Sequence, residues 1–237
     1  PRPESLAAAR AKIEGELQGS GLWGIVNNAG VPGGSGPVEF FPAKRTSITL
    51  EVNAMGYVHV LQAFLPLVRR AHGRVVNVAS VNGFFGIWGN SAYAMSKFAV
   101  QALTESLRYE VGPLGVFVSV VEPGGVKTPI WDVATLQASL EDQMTLAGAD
   151  EVYGPRIHPA AKGPDPGTEA LVGLLDPPTT VANAITHALT SPYPQLRYSV
   201  AYKAGTLRRL RWWLPDWMFY EVVTAFFSCP TIYPNPA

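Results

Sequence analysis

The sequence has one cysteine, Cys229, in 237 residues. An internal disulfide framework is excluded, and the lone thiol fits a reducing compartment. The four histidines, His59, His72, His158 and His187, are scattered without ligand spacing, so no metal centre is expected. Charge is sparse and balanced: Lys and Arg total 18, Asp and Glu total 18, and together they make up 15% of the chain. That balance offers no global field for nucleic acid or an acidic partner. Long apolar runs are also missing. The stretch from Trp212 to Phe227 is broken by Pro215, Asp216 and Glu221, short of the roughly 20 apolar residues of a membrane span. No apolar signal segment follows Pro1, and no segment repeats. The expected location is the cytoplasm or the surface of a membrane, with any N-terminal anchor lying outside the chain.

A hydrophobic share of 47% in a chain of this length supports one large core. Leu6, Ala9, Ile13 and Leu17 fall at helical spacing, predicting a helix over Glu4 to Leu17 that Gly19 and Gly21 stop. Leu22 to Val26 reads as a buried strand, with Asn27-Asn28-Ala29-Gly30 at its carboxyl end and a Gly/Pro loop from Pro32 to Pro37 beyond. A long helical stretch from Thr46 to Arg70 carries Asn53 and should kink at Pro66. Val75 to Ala79 is a second apolar strand, ending at Ser80. Ser91 to Val111 is the clearest helix, and Val116 to Val121 a third strand, closed by Glu122-Pro123-Gly124-Gly125. Apolar strands alternating with helices predict an α/β fold with a doubly wound parallel sheet. Ligands in such sheets sit beyond the carboxyl ends of the strands, where the polar punctuation falls. After Ile130 a Gly- and Pro-rich connection reads as a lid or a disordered loop. A helix over Thr180 to Leu189 and a strand over Arg197 to Ala201 then restore order.

Tyr93 and Lys97 are four residues apart on the clearest helix, so both leave the same face. A phenol with a pKa of about 10 is a poor base alone, and a neighbouring ammonium favours its phenolate. A surface tyrosine and lysine sharing a face would give the same spacing, so context decides. Ser80 stands at a strand end thirteen residues before Tyr93, and Asn53 twenty-seven before Ser80. In these intervals Asn53, Ser80, Tyr93 and Lys97 resemble the Asn-Ser-Tyr-Lys tetrad of the classical short-chain dehydrogenase/reductase family. Three further motifs follow in order. Asn27-Asn28-Ala29-Gly30 matches its N-N-A-G segment. Val76-Asn77-Val78-Ala79-Ser80 is similar to its N-x-S-S, with Ala79 in place of the first serine. Pro123-Gly124-x-Val126-x-Thr128 matches its P-G-x-V-x-T.

The resemblance implies a Rossmann-like fold and an oxidoreductase that moves a hydride between NAD or NADP and a carbonyl or alcohol. Tyr93 would pass a proton to or from the substrate oxygen, and Lys97 would lower the tyrosine pKa and hold the nicotinamide ribose. Ser80 would orient the carbonyl or hydroxyl, and Asn53 would support a water relay to Lys97. The backbone around Asn27, Ala29 and Gly30 would line the cofactor. Pro123, Gly124, Val126 and Thr128 would flank the nicotinamide. The family's T-G-x-x-x-G-x-G fingerprint is absent, as is the strand end that separates NAD from NADP, so the two cofactors are not distinguished. The sheet is therefore expected to lack the first βαβαβ half, about 70 to 80 residues. As such a fragment the polypeptide is expected to bind cofactor poorly and to be inactive, whereas the complete protein would be active.

Residues 1–205 are assigned to this domain, with a substrate loop over about 130–178, and 206–237 to an aromatic, basic tail. Tyr109 to Val116 and Val121-Glu122-Pro123-Gly124 look most like the retinol and hydroxysteroid dehydrogenase branch, whose substrates are bulky lipophilic alcohols and ketones. Phe84, Phe85, Ile87, Trp88 and Trp131 are candidate lining for such a pocket, or ordinary core. The tail, with Trp212, Trp213, Trp217, Arg208, Arg209 and Arg211, reads as a lid or packed helix in preference to an interfacial helix on a membrane. A homodimer contact is a further reading of it. The alternative function is a truncated or non-catalytic homologue acting by binding or dimerisation.

Overall fold

The computed structural model describes residues 3–34, 36–128, 149–153 and 173–227. Four strands in those residues form one sheet: β1 (Gly24–Asn27), β2 (Arg74–Val78), β3 (Phe117–Pro123) and β4 (Arg197–Val200). They lie in that order, and every neighbouring pair is parallel. Parallel neighbours need crossovers. α1 (Pro3–Leu17) precedes the sheet, α2 (Ala43–Leu50) and α3 (Gly56–Arg70) join β1 to β2, and α4 (Ser91–Val111) joins β2 to β3. α5 (Ala149–Tyr153) and α6 (Pro178–Thr190) lie between β3 and β4, and α7 (Ala204–Trp213) and α8 (Asp216–Phe227) follow.

Both faces of β2 and β3 are covered, which is why those strands are mostly apolar without alternation. The edge strands are less covered, with Val26 of β1 exposed and β4 reading Arg-Tyr-Ser-Val. Val75 and Val118 turn to one face, against Leu61, Phe64 and Leu67 of α3 and Leu107 of α4, and α1 adds Leu6 and Ile13. Val76 and Val121 turn to the other, against Ala184 and Ala188 of α6. The last carbonyls of α6 find partners along the sheet edge. Trp23 Nε1 donates to Leu189 O at 2.9 Å, and Arg74 Nη1 donates to Ala188 O at 2.8 Å.

Three expected boundaries move. The helix expected from Thr46 to Arg70 is interrupted at Asn53, where residues Glu51–Met55 form a π-helical turn. α3 continues through Pro66, which is exposed, so the carbonyl it cannot bond faces solvent. β3 runs on to Pro123, which places Glu122 inside the strand and not in the turn after it. α7 and α8 pack inward through Ala204, Leu207, Phe219 and Val223 onto Val81, Phe84 and Phe85. Their outer corner leaves Trp212 80%, Trp213 78% and Trp217 58% exposed. Trp131 and most of the expected substrate loop lie outside the described residues.

Candidate active site

The first turns of α4 lie beside the carboxyl end of β2, and the two elements build the site. Lys97 is buried, and its Nζ donates to Val78 O, the last carbonyl of β2, at 3.1 Å. The Tyr57 hydroxyl donates to the same carbonyl at 3.0 Å. Nζ sits 5.5 Å from the centre of the Tyr93 ring, as the four-residue spacing requires. Burial penalises the ammonium and brings the Lys97 pKa down to about 8. The same burial pushes the Tyr93 phenol up, while a hydrogen bond with the Ser80 side chain pulls it down. Ser80 caps the short 3-10 turn Val81–Gly83, accepting from Asn82 N at 3.2 Å. A hydroxyl can accept there and still donate its proton to the phenol oxygen.

Asn53 occupies the π-helical turn, a local irregularity frequent at functional sites. Its side chain is fully buried. Oδ1 accepts from Val31 N at 2.8 Å, and Nδ2 donates to Val31 O and to Ser96 Oγ, both at 3.0 Å. Ser96 in turn donates to Tyr93 O at 2.7 Å. The amide thus ties the chain leaving β1 to the helical turn between Tyr93 and Lys97. Ser96 was not singled out from the sequence. A serine inside a helix, where its hydroxyl competes for backbone carbonyls, was the available signal.

Asn28, Ala29 and Gly30 form an exposed shelf beyond β1. A Cβ at Gly30 would stand 3.4 Å from Asn53 Oδ1 and 3.7 Å from Lys97 Nζ, so the shelf lies directly beside both groups. Asn27 points the other way. Its Nδ2 donates to Asn77 Oδ1 at 2.9 Å, and Asn77 donates to Thr104 Oγ1 at 3.0 Å, a buried brace joining β1, β2 and α4. Pro123, Gly124, Val126 and Thr128 form a separate flank at the end of β3. Gly124 N donates to Val200 O at 2.9 Å, and a Cβ on Gly124 would strike the Tyr202 carbonyl oxygen. Val126 is bridged to Asp176, and Thr128 lies two residues further on. Phe84 and Phe85 belong to the core beneath α7 and α8, with Ile87 packed on its edge. Trp88 is half-buried.

A parallel sheet whose carboxyl edge carries an exposed shelf, bare of a side chain at Gly30 beside a buried ammonium and a phenol, suits the ribose and nicotinamide end of a dinucleotide. These features define a doubly wound, dinucleotide-dependent class of enzyme. The family model described as short chain dehydrogenase matches residues 2–138. Retinol dehydrogenase 7 of Rattus norvegicus is 35% identical over 226 residues, which cover 94% of the chain and 70% of that protein. 17-beta-hydroxysteroid dehydrogenase type 6 of Bos taurus is 36% identical over 205 residues, covering 86% of the chain and 64% of that protein. Two solved structures share the fold at lower identity. A short chain dehydrogenase from Burkholderia cenocepacia in complex with NADP aligns with a TM-score of 0.65 at 18% identity, over 97% of the chain and 76% of its own. Carveol dehydrogenase from Mycobacterium avium in complex with NAD aligns with a TM-score of 0.65 at 20% identity, over 83% of the chain and 68% of its own. The chain belongs to the short-chain dehydrogenase family and is an oxidoreductase.

Proposed function

We propose that this oxidoreductase uses Tyr93 as the proton-transfer group in moving a hydride between NAD or NADP and a lipophilic alcohol or its carbonyl. The meeting of Tyr93, Ser80 and Lys97 at the end of β2 carries the proposal. The bound nicotinamide supplies or accepts the hydride. The chain's own residues move the proton and hold the geometry. In oxidation the Tyr93 phenolate takes the alcohol proton, and in reduction the phenol returns it to the carbonyl oxygen. Desolvation opposes that phenolate and holds the Tyr93 phenol above its ordinary value. The Ser80 hydroxyl pulls the other way, and the Lys97 ammonium, 5.5 Å from the ring centre, would favour the charged form. Ser80 has one hydroxyl proton, and on substrate binding its hydrogen bond would swing from the phenol oxygen to the substrate oxygen. Asn53 fixes the Val31 backbone and the Ser96 turn, and so the gap between shelf and helix. Gly30, Ala29 and the backbone of Asn27 would hold the ribose side of the cofactor, with Pro123, Gly124, Val126 and Thr128 on the nicotinamide flank.

The similarity to proteins named for retinol and for 17-beta-hydroxysteroids favours a bulky apolar alcohol such as a retinoid or steroid. Turnover of a retinoid and steroid panel with NAD and NADP, by the protein expressed from its complete reading frame, tests this through nicotinamide absorbance. Activity confined to small polar alcohols would contradict the substrate class. The outward Trp212, Trp213 and Trp217 favour one further reading, contact of the α7–α8 corner with a lipid surface, where indole rings suit the headgroup region.

A further inference from the structure

Glu122 takes no part in the proton path, yet its carboxylate is fully buried one residue before Pro123. Burying a carboxylate is costly unless its oxygens are paired, and both are. Oε1 accepts from Gln101 Nε2 at 2.5 Å and from Arg197 Nη1, and Arg208 Nη1 stands 3.7 Å away. Oε2 accepts from the Ser199 hydroxyl at 2.6 Å. The hydrogen-bond donors come from α4 and β4, and α7 adds the Arg208 ion pair. Arg197 is gripped again by α4, donating to Gln101 Oε1 at 2.7 Å and to Glu105 Oε1 at 3.0 Å. Glu105 and Glu122 thus share one cluster with Arg197 and Arg208, and Arg108 stands near enough to interact with both carboxylates.

The placement of these partners gives the cluster a consequence for the site. Gln101 lies four residues beyond Lys97 and eight beyond Tyr93, so it continues their face of α4. Gly83, at the end of the turn that Ser80 caps, is pressed against the same place: a Cβ there would meet Lys97 O at 2.9 Å and Gln101 Cγ at 3.0 Å. Arg208 also lies over the Phe84 ring, 4.8 Å from its centre. The carboxylate therefore joins the helix bearing Tyr93 and Lys97 to the Pro123–Gly124 turn and, through Arg208, to the segment after Ser80.

We propose that Glu122 is a positioning residue: its carboxylate sets the separation between the Tyr93–Lys97 face of α4 and the Pro123–Gly124 flank, and couples that separation to the seating of α7. The inference rests on the site reading given above. A carboxylate with directional donors on α4 and β4, and a guanidinium of α7 paired with it, permits one register, whereas apolar contact at the same place would permit sliding.

Glu122→Gln keeps the volume and one acceptor oxygen but leaves Arg197 and Arg208 without their shared anion. The variant is compared with the parent protein by kcat, by KM for substrate, and by amide hydrogen exchange of the cofactor-free protein. A displacement near 1 Å at a reacting centre lowers turnover by about tenfold to a hundredfold. A kcat loss of that size is expected with substrate KM little changed, and with faster exchange at both 123–126 and 204–213. Faster exchange at 204–213 alone, with kcat within about twofold of the parent, overturns the proposal, because Glu122 would then serve only tail packing. If Glu122→Gln does not fold, Arg208→Gln, at a half-buried side chain, carries the test. Faster exchange at 81–85 with slowed turnover supports the coupling, and unchanged turnover overturns it. The exchange arm needs no substrate. A parent protein inactive on every alcohol would count against the site reading, while unlinked exchange at 123–126 and 204–213 would count against Glu122.

Discussion

In the proposed mechanism Lys97 serves chemistry at the expense of stability. Its pKa is about 8 in the folded chain, against 10.5 for an ordinary lysine. Between those values the unfolded chain holds more protons, so stability rises as pH climbs from about 8 towards 10.5. Below that window the buried charge costs on the order of 3 kcal/mol. Lys97→Met removes the charge together with one hydrogen bond to Val78 O, a carbonyl that Tyr57 still satisfies. The variant should be more stable at neutral pH by about 1 to 2 kcal/mol in urea unfolding, while turnover falls at least about a hundredfold. A destabilised but active variant would contradict that role. The Tyr93–Lys97 pair was legible because the helical period puts both on one face and their intervals to Ser80 and Asn53 single that face out. Ser96 and Val31 were not, since hydrogen bonds from Asn53 across 43 and 22 residues leave no local spacing to read.

At the scale of elements, β2 and β3 could be read because burial on both faces demands apolar runs, and α4 because no breaker falls before Gly112-Pro113. The buried face of α4 is not an apolar stripe, since Ser96, Lys97, Gln101 and Thr104 are buried while Met95 and Phe98 are exposed. The π-helical turn could not be read. It exists where Asn53 must reach both Val31 and Ser96, a demand made by partners and not by the residues flanking it. Asn53→Ala would leave the Val31 N–H and C=O without their partner. It should cost about 2 kcal/mol by thermal unfolding and slow turnover with it. Unchanged melting would show those bonds to be replaceable by water. Gly124→Ala should destabilise by about 1 to 3 kcal/mol in urea unfolding, because the Tyr202 carbonyl it would meet is backbone and cannot swing aside. A variant of parent stability would mean the β3–β4 junction is looser than described.

For the whole molecule, the sequence left the tail open between lid, packed helix, dimer contact and membrane helix. The structure assigns the inner face of α7 and α8 to packing, on the segment that follows Ser80. Two of the arginines that suggested headgroup contact are engaged internally, Arg208 with Glu122 and Phe84 and Arg211 with Asp216 and Phe219. The tryptophans are therefore the sharper probe of a membrane role. Trp212→Ser, Trp213→Ser and Trp217→Ser combined should lower flotation with liposomes and leave alcohol turnover in detergent unchanged. Equal flotation would remove the lipid reading.

The measurement that bears most directly on the central claim is turnover by Tyr93→Phe in the protein expressed from its complete reading frame, with saturating cofactor and a retinoid or steroid alcohol. The phenyl ring keeps the packing of Tyr93 against Lys97 and loses only the oxygen that carries the proton. Turnover should fall by at least about a hundredfold to ten-thousandfold with cofactor affinity retained. A Tyr93→Phe protein that keeps most of its activity would contradict proton transfer at Tyr93.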